Sequence, residues 1–450
     1  MVTRGATGSV TLGGMAKPSL NPDFERRPYW HTTMPALPDR GGRDLPDRAD
    51  VVVVGGGYTG VAAARRLAQQ GAKVTLLEAN HLGWGASTRN GGIVHPGYKW
   101  GPKSLIKRYG EETGRALYRE TLEAYAFTTG IARDEGVECE FRESGFLELA
   151  YAPSHVRDLH EAQESLAFVG VESTVVPRER LREEIGSGAY FGGLAVGGSG
   201  TLHPGKWFAG LAASAERAGA DLHERVRARR LHKDGTGLVV ETERGLINAE
   251  QVLVATNGYT DGFIPALRRR LIPIGSYIIA TEPLPPDLVA ELSPKSRAFF
   301  DTKNFLYYWH VSADRRMIFG GRASFIATSV DRTAAILHRG LLEVHPQLAG
   351  YRIDYAWGGN VGFTFDRMPH VGQMAGVTYA MGYCGTGVAM STWLGTRAAE
   401  WMGGGGPPAL AKLGFPLVPA PYEGRPWFLP FAGEWFRLQD RLAARSRPKA

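Results

Sequence analysis

The chain has little cysteine: two residues in 450, Cys139 and Cys384. A disulfide framework is therefore excluded as the basis of the fold, and the count suits a reducing compartment, so a cytoplasmic protein is expected. No run of about 18 apolar residues occurs, which argues against a transmembrane helix. Met1–Leu20 is rich in Gly, Ser and Thr and lacks the apolar core of a secretory signal. The closing Arg447-Pro448-Lys449-Ala450 matches no lipidation or retention signal. There is neither His-Glu-x-x-His nor Cys-x-x-Cys, so no metal site is expected. Ser199, within Gly197-Gly198-Ser199-Gly200, lacks the Gly-x-Ser-x-Gly spacing of a nucleophile elbow. Charge of one sign is not dominant either: the formal net charge is +7. The basic clusters at Arg225–Arg230, Arg268–Arg270 and the last dozen residues come with no recognition motif, so they read as solvated faces and no nucleic-acid partner is expected.

What is present is an ordinary globular balance, 43% hydrophobic and 22% charged, in a chain long enough for two or three domains. Residues 1–48 form an irregular arm in which Tyr29 and Trp30 are candidates for docking on the body. The periodic chain starts with Val51-Val52-Val53-Val54, a β-branched run of the kind buried on both faces. A helix is predicted from Tyr58 to Gln70, with Val61, Ala64 and Leu67 on its buried stripe and Gly71 at its end. Lys73–Glu78 reads as the second strand of a βαβ unit. Further on, 103–136 and 155–169 read as helices. Leu238–Thr242, Leu246–Asn248 and Gln251–Ala255 read as short strands, as do Tyr277–Thr281, Phe305–His310 and Met317–Gly320. Residues 385–402 read as a late helix, followed by the linker Gly403–Pro408. Trp427–Arg445 carries aromatic and basic residues at helical spacing, either a membrane-surface helix or one packed on the protein's own body.

Gly55-Gly56-Gly57-Tyr58-Thr59-Gly60 fits Gly-x-Gly-x-x-Gly in the context that gives the pattern meaning, after a strand and opening a helix. Gly55 makes the turn, Gly57 lets backbone approach a pyrophosphate, and Gly60 lets helix and strand pack closely. The helix start presents N–H groups to the phosphates. Glu78, with Ala79 beside it, supplies a carboxylate for ribose hydroxyls. This fingerprint does not separate NAD from FAD. The following loop, Gly85-Ala86-Ser87 and Arg89-Asn90-Gly91-Gly92, favours FAD. Its small side chains let N–H groups approach phosphate and flavin oxygens, and Arg89 adds charge.

At these residues the chain resembles the D-amino-acid-oxidase-like FAD oxidoreductases, which include glycine oxidase and monomeric sarcosine oxidase, and above all the γ-glutamylputrescine oxidoreductases. The likeness extends from about Asp50 to Trp401. It also rests on Leu202-His203-Pro204, Ile353–Asn360, Arg367-Met368-Pro369 and Gly382–Val388. The resemblance implies an α/β fold: a doubly wound, Rossmann-type FAD-binding domain interleaved with an α+β substrate domain on an antiparallel sheet. The expected segments are 49–138, 199–270 and 357–405 for FAD, 139–198 and 271–356 for substrate, and 406–450 as a tail. It further implies cofactor contacts at Ala228, Thr256, Asn257, Gly359 and the run Gly385-Thr386-Gly387-Val388, which faces the pyrimidine edge of the flavin. Physical chemistry supports that last role, because a helix N-terminus stabilises the negative charge of a reduced flavin.

Where relatives attach flavin through Cys or His, this chain has Val361 and Arg89, so FAD is expected to be non-covalent. Where glycine oxidase and the γ-glutamylputrescine enzymes are similar in placing an Arg after an aromatic strand, this chain has His310, which puts a tightly held carboxylate in doubt. The activity implied is oxidation of a C–N bond in a small amine or amino-acid-like substrate, in the manner of polyamine catabolism, with hydride passing to the flavin and then to oxygen or another acceptor. Tyr277, Tyr308, Trp309, His310 and Arg322 are the substrate-shaping candidates, and His95 and Lys99 edge the expected pocket. Each strand aromatic has a second reading as core, and Arg322 as a surface cation. An FAD-dependent tRNA-modifying enzyme and a non-catalytic FAD-binding protein are the alternatives.

Overall fold

A computed structural model describes residue 20 and residues 23–235, 237–322, 328–419 and 421–445. Expectations for the start of the arm and the extreme end of the basic tail lie outside the described residues.

Two eight-stranded sheets organise the molecule. The first grows from the β-branched run. Strand Arg48–Val54 lies between Val74–Leu77 and Gly245–Val254, parallel to both. Asp221–His223 extends the sheet on one side and the antiparallel hairpin Ala228–Asp234 and Gly237–Thr242 on the other. Val377–Met381 runs parallel to the end of Gly245–Val254 and carries His370–Met374. Val52 and Val53 are fully buried, as a strand covered on both faces requires. The helix Tyr58–Gln69 packs on this sheet, and the late helix Gly387–Met402 crosses it at very short range. A methyl group added at Gly395 would lie 2.2 Å from the Thr59 carbonyl oxygen, so only glycine permits the crossing.

The second sheet runs in the order Ile353–Phe363, Ile272–Thr281, Met317–Gly321, Tyr307–Val311, Ala298–Asp301, Phe146–Leu149, Gly192–Val196 and Ser173–Pro177. All neighbours are antiparallel except Ala298–Asp301 beside Phe146–Leu149. One face packs on the helix Val330–Val344, with Trp309, Phe299 and Phe319 fully buried between them. The other face looks toward the first sheet. The expected boundary at 356 falls inside the strand Ile353–Phe363.

Three readings of local structure are corrected. Residues 103–136 form two helices, Pro102–Tyr109 and Glu111–Asp134, because Gly110 adopts φ +83° between them. Leu246–Asn248 and Gln251–Ala255 belong to the single strand Gly245–Val254. Tyr277–Thr281 is the latter half of a ten-residue strand. Tyr29 and Trp30 of the arm are buried, and the Trp30 indole donates to the Asn90 carbonyl at 2.8 Å. The tail helix Leu429–Arg445 packs on the body: Asp440 accepts from the backbone N–H groups of Asn304 and Phe305, both at 3.0 Å. Among the described residues no helix is long and apolar enough to cross a membrane.

Candidate functional site

A cavity of about 980 Å³ opens between the two sheets, and both helix starts point into it. At the fingerprint the strand ends, Gly55 turns the chain at φ +113°, and Gly57 precedes the helix without a side-chain cap. Gly60 stands behind the cavity wall, not on it. A Cβ there would meet the Gly55 carbonyl oxygen at 1.9 Å, so its part is the close helix–strand contact. Glu78 sits at the cavity edge just past its strand. One carboxylate oxygen accepts from Gly56 N–H and the other from Asn80 N–H, both at 2.8 Å, so its orientation is fixed.

The small-residue loop is braced before any ligand arrives. Ala86–Thr88 forms a 3-10 turn; Ser87 Oγ accepts from the Tyr58 N–H at 2.8 Å. Asn90 donates to the carbonyls of Ala86 and Ser87 and accepts from Gly92 N–H. Gly92, at φ +73°, lies off the cavity with its backbone against Leu202, and serves the turn. Arg89 donates to the carbonyls of Trp84 (2.7 Å) and Gly358 (3.1 Å), so its guanidinium reaches toward the second sheet.

From the far side come Ala79, Ala228, Thr256, Asn257 and Gly359, all in the cavity wall. Asn257 adopts φ +41°, and its side-chain oxygen accepts from Gly382 N–H at 2.9 Å. That bond holds the turn ahead of the late helix. Cys384 and Gly385 are consecutive left-handed residues that bring Gly385, Thr386, Gly387 and Val388 to the wall. The Thr386 hydroxyl bonds back to the Tyr383 carbonyl, leaving the helix start without a side-chain cap. Two uncapped helix starts, a fixed carboxylate and a wall of glycine backbone suit a long dianionic cofactor with an electron-rich ring.

The second sheet closes the cavity, and strand alternation sorts the candidates. Tyr308 faces the cavity, its hydroxyl 3.0 Å from Ser276 Oγ, with Gly91 and Gly320 making room for its ring. Arg322 lines the same space beside Phe363, 4.9 Å from the ring centre. Three candidates are not brought to it. Tyr277 points the other way, packing on the layer under helix Val330–Val344. Trp309 is fully buried in that layer, stacked on Phe299. His310 shares the face of Tyr308 but is roofed by the loop, its Nε2 2.8 Å from the Gly91 carbonyl oxygen. Burial holds its imidazole down at about 4, so it is neutral and carries no charge for a carboxylate.

His95 and Lys99 do line the cavity. A methyl on Gly385 would come 3.8 Å from Lys99 Nζ, which sets this ammonium close to the start of the late helix. Burial, with Arg322 nearby, pulls it down to about 8. The residue-by-residue reading missed Phe146, Glu148, Ser276 and Phe300, which share the wall with them. Their strands alternate outward and inward, with Leu147, Leu149 and Phe299 buried behind. The period was visible in the sequence, but not which side would face a cofactor.

A βαβ nucleotide fold whose glycine turn, loop and late helix converge on one cavity defines a flavin-dependent oxidoreductase. The chain belongs to the DAO family, FAD dependent oxidoreductase, whose model matches residues 50–401. It is 34% identical to a probable oxidoreductase OrdL of Rhizobium meliloti (strain 1021), over 92% of this chain and 97% of that one. It is 33% identical to the gamma-glutamylputrescine oxidoreductase of Escherichia coli (strain K12), over 87% and 93%. In three dimensions it superposes on glycine oxidase from Geobacillus kaustophilus with a TM-score of 0.69 at 21% identity, covering 83% of this chain and 98% of that structure. FAD is accordingly the cofactor of this enzyme.

Proposed function

We propose that this enzyme oxidises the C–N bond of a small amine, with γ-glutamylputrescine-like compounds as the first candidates. The observation that carries the reading is the group formed by Lys99, Tyr308 and Arg322, which share one cavity with the late-helix start. The similarity to a gamma-glutamylputrescine oxidoreductase along most of both chains supports it. FAD, when bound, would supply the two-electron acceptor for the hydride on the carbon next to nitrogen, and hydrolysis of the imine would give an aldehyde or oxo acid with release of ammonia or an amine.

The chain's own residues have three tasks. The fingerprint, Glu78, the small-residue loop and the late-helix start hold the cofactor without a covalent link. Tyr308 and Phe363 wall the reacting space and exclude water. Arg322 gives that space a positive field, which disfavours an alkylammonium and favours the neutral amine from which hydride can leave. Lys99, which burial pulls down to about 8, takes the amine's proton at Nζ from its deprotonated form, so the step speeds up as pH rises toward that value. An acidic group on the substrate is met by Arg322, not by His310.

The test is anaerobic bleaching of the flavin absorbance by γ-glutamylputrescine, putrescine, sarcosine and glycine. Bleaching by at least one amine is expected, and Lys99→Met should slow it on the order of 100-fold with flavin content unchanged. A flavin that no amine in the panel reduces would overturn the reading.

A further inference from the structure

Part of the cavity wall has no part in the chemistry above. Glu148 stands there, half-buried and lining the cavity, its carboxyl raised above the ordinary range by burial. Among the described residues it makes no ion pair and no side-chain hydrogen bond. A carboxylate withdrawn from bulk water without a partner is costly, by several kcal/mol in general. Folds keep such groups where a ligand brings the opposite charge.

Its neighbours have the matching chemistry. Phe300 is its register partner on the adjacent strand. The rings of Phe146 and Phe300 lie 4.8 Å apart, and His95 completes the group at 5.9 and 6.1 Å from them. His95 Nδ1 lies 2.8 Å from the Pro96 carbonyl oxygen, and burial holds the imidazole at about 4, so it is neutral and does not repel a cation. Three aromatic rings beside one carboxylate form a cation receptor. Asp158 also lines this end. The cavity thus carries both signs, Lys99 and Arg322 against Glu148 and Asp158, with Lys99 within electrostatic reach of Glu148 and His95. Lys99 acts on Glu148 through its field but lies beyond ion-pair distance.

We propose that Glu148, with Phe146, Phe300 and His95, binds a second cationic nitrogen of the substrate, separated along a carbon chain from the amine that is oxidised. The substrate class is therefore an amine with a distal ammonium, such as a diamine or an amine bearing an amino-acid head. This rests on the reading of the enzyme as an amine oxidoreductase, and it makes Glu148 a specificity determinant that leaves the redox step untouched.

The experiment compares holoenzyme and Glu148→Gln on 1,4-diaminobutane and butylamine, which differ only in the distal nitrogen. The parent should prefer the diamine. The variant should lose diamine efficiency by roughly 30-fold or more, mainly through KM, as expected on removing one partner of an enclosed charge pair. Butylamine should stay within about threefold or improve, because it has no distal charge. Equal losses on both amines, or an unchanged diamine, would overturn the proposal. A second arm measures calorimetric binding of butyltrimethylammonium, a cation whose nitrogen has no lone pair and so cannot form an imine. It should bind the parent and be lost in Glu148→Gln. Phe300→Leu, which keeps apolar volume but removes a ring face, should weaken it roughly 3- to 30-fold. Flavin content reports that both variants fold. If no amine reduces the flavin, the functional reading fails while the calorimetry still decides the cation site; no binding by the parent overturns that site.

Discussion

Arg89 and Val361 carry the expectation that the flavin is held without a covalent bond. Arg89 is tied to the carbonyls of Trp84 and Gly358 and stacks on the Trp84 ring at 5.0 Å, while Val361 offers the cavity only methyl groups. Neither is a nucleophile. Acid precipitation should therefore release all the flavin as free FAD and leave a colourless pellet; a yellow pellet would mean a covalent bond at some other residue. Glu78 is the complementary case. Its carboxylate joins two backbone N–H groups of the turn to the cavity edge. Glu78→Ala removes charge-assisted bonds worth about 1.5–3 kcal/mol each, so FAD affinity should fall at least 10-fold by fluorescence titration. The placement of the turn and of Glu78 at the cavity was legible because this glycine spacing, followed by a carboxylate at the end of the next strand, rarely occurs away from a dinucleotide-binding turn. His310 was not. Strand alternation separates Tyr308 and His310 from Trp309, but nothing local says that the Gly91 loop would roof one and leave the other open.

At the scale of elements, the contact between the fingerprint helix and the late helix matters most, because it fixes where both helix starts aim. Gly395 lies against the Thr59 carbonyl, and the Tyr383 hydroxyl sits 2.7 Å from Thr59 Oγ1. Gly395→Ala must push the helices apart. Overpacking of this kind costs about 1–3 kcal/mol, and here it should also lower flavin retention, read as the ratio of flavin to protein absorbance. Gly262→Ala, with open space around it and an ordinary φ, is the control and should change neither. Full flavin and stability in Gly395→Ala would show that the crossing yields cheaply. The same scale accounts for which elements could be read. Strand Arg48–Val54 is covered on both faces and announces itself by composition. Strand Gly245–Val254 changes character along its length: Leu246–Glu250 alternate between exposed and buried, and Val252–Val254 are buried throughout. One period cannot describe it, so it reads as two strands. Leu202-His203-Pro204 is an architectural motif. His203 Nδ1 accepts from Lys206 N–H to cap the helix Pro204–Arg217, and the Pro204 carbonyl accepts from the Tyr58 hydroxyl.

For the whole molecule, the candidate cofactor half of the site is built on short glycine-rich runs such as Gly55–Gly60, Gly85–Gly91 and Gly385–Val388, whereas the proposed substrate half is assembled from Lys99, Glu148, Phe300, Tyr308 and Arg322, single side chains on separate elements. That assembly needs long-range pairing, and it buries imidazoles in different places. His95 lies in the cavity wall, His310 lies under the loop, and His345 ends helix Val330–Val344 beside Trp309 at 5.9 Å. Burial holds all three at about 4. In the unfolded chain each titrates near its ordinary value of about 6.5. Between these values the unfolded state binds more protons than the folded one, so stability is complete above about pH 6.5 and is lost as pH falls toward about 4. Each such group contributes about 1.4 kcal/mol per pH unit across that window. Glu120 opposes them. Burial raises its carboxyl to about 7, so the folded state binds its proton first and gains stability on acidification. His31 and His203 are held at about 4 in the same way, so five imidazoles oppose one carboxyl and acidification through this window destabilises the fold. The urea midpoint of the holoprotein should therefore fall steeply from about pH 6.5 to about pH 4.5, and His345→Gln should flatten the slope by about one proton. A midpoint that does not move in that window would mean these imidazoles are as easily protonated in the fold as in the open chain, and with that the neutral His95 of the cation receptor would be lost as well.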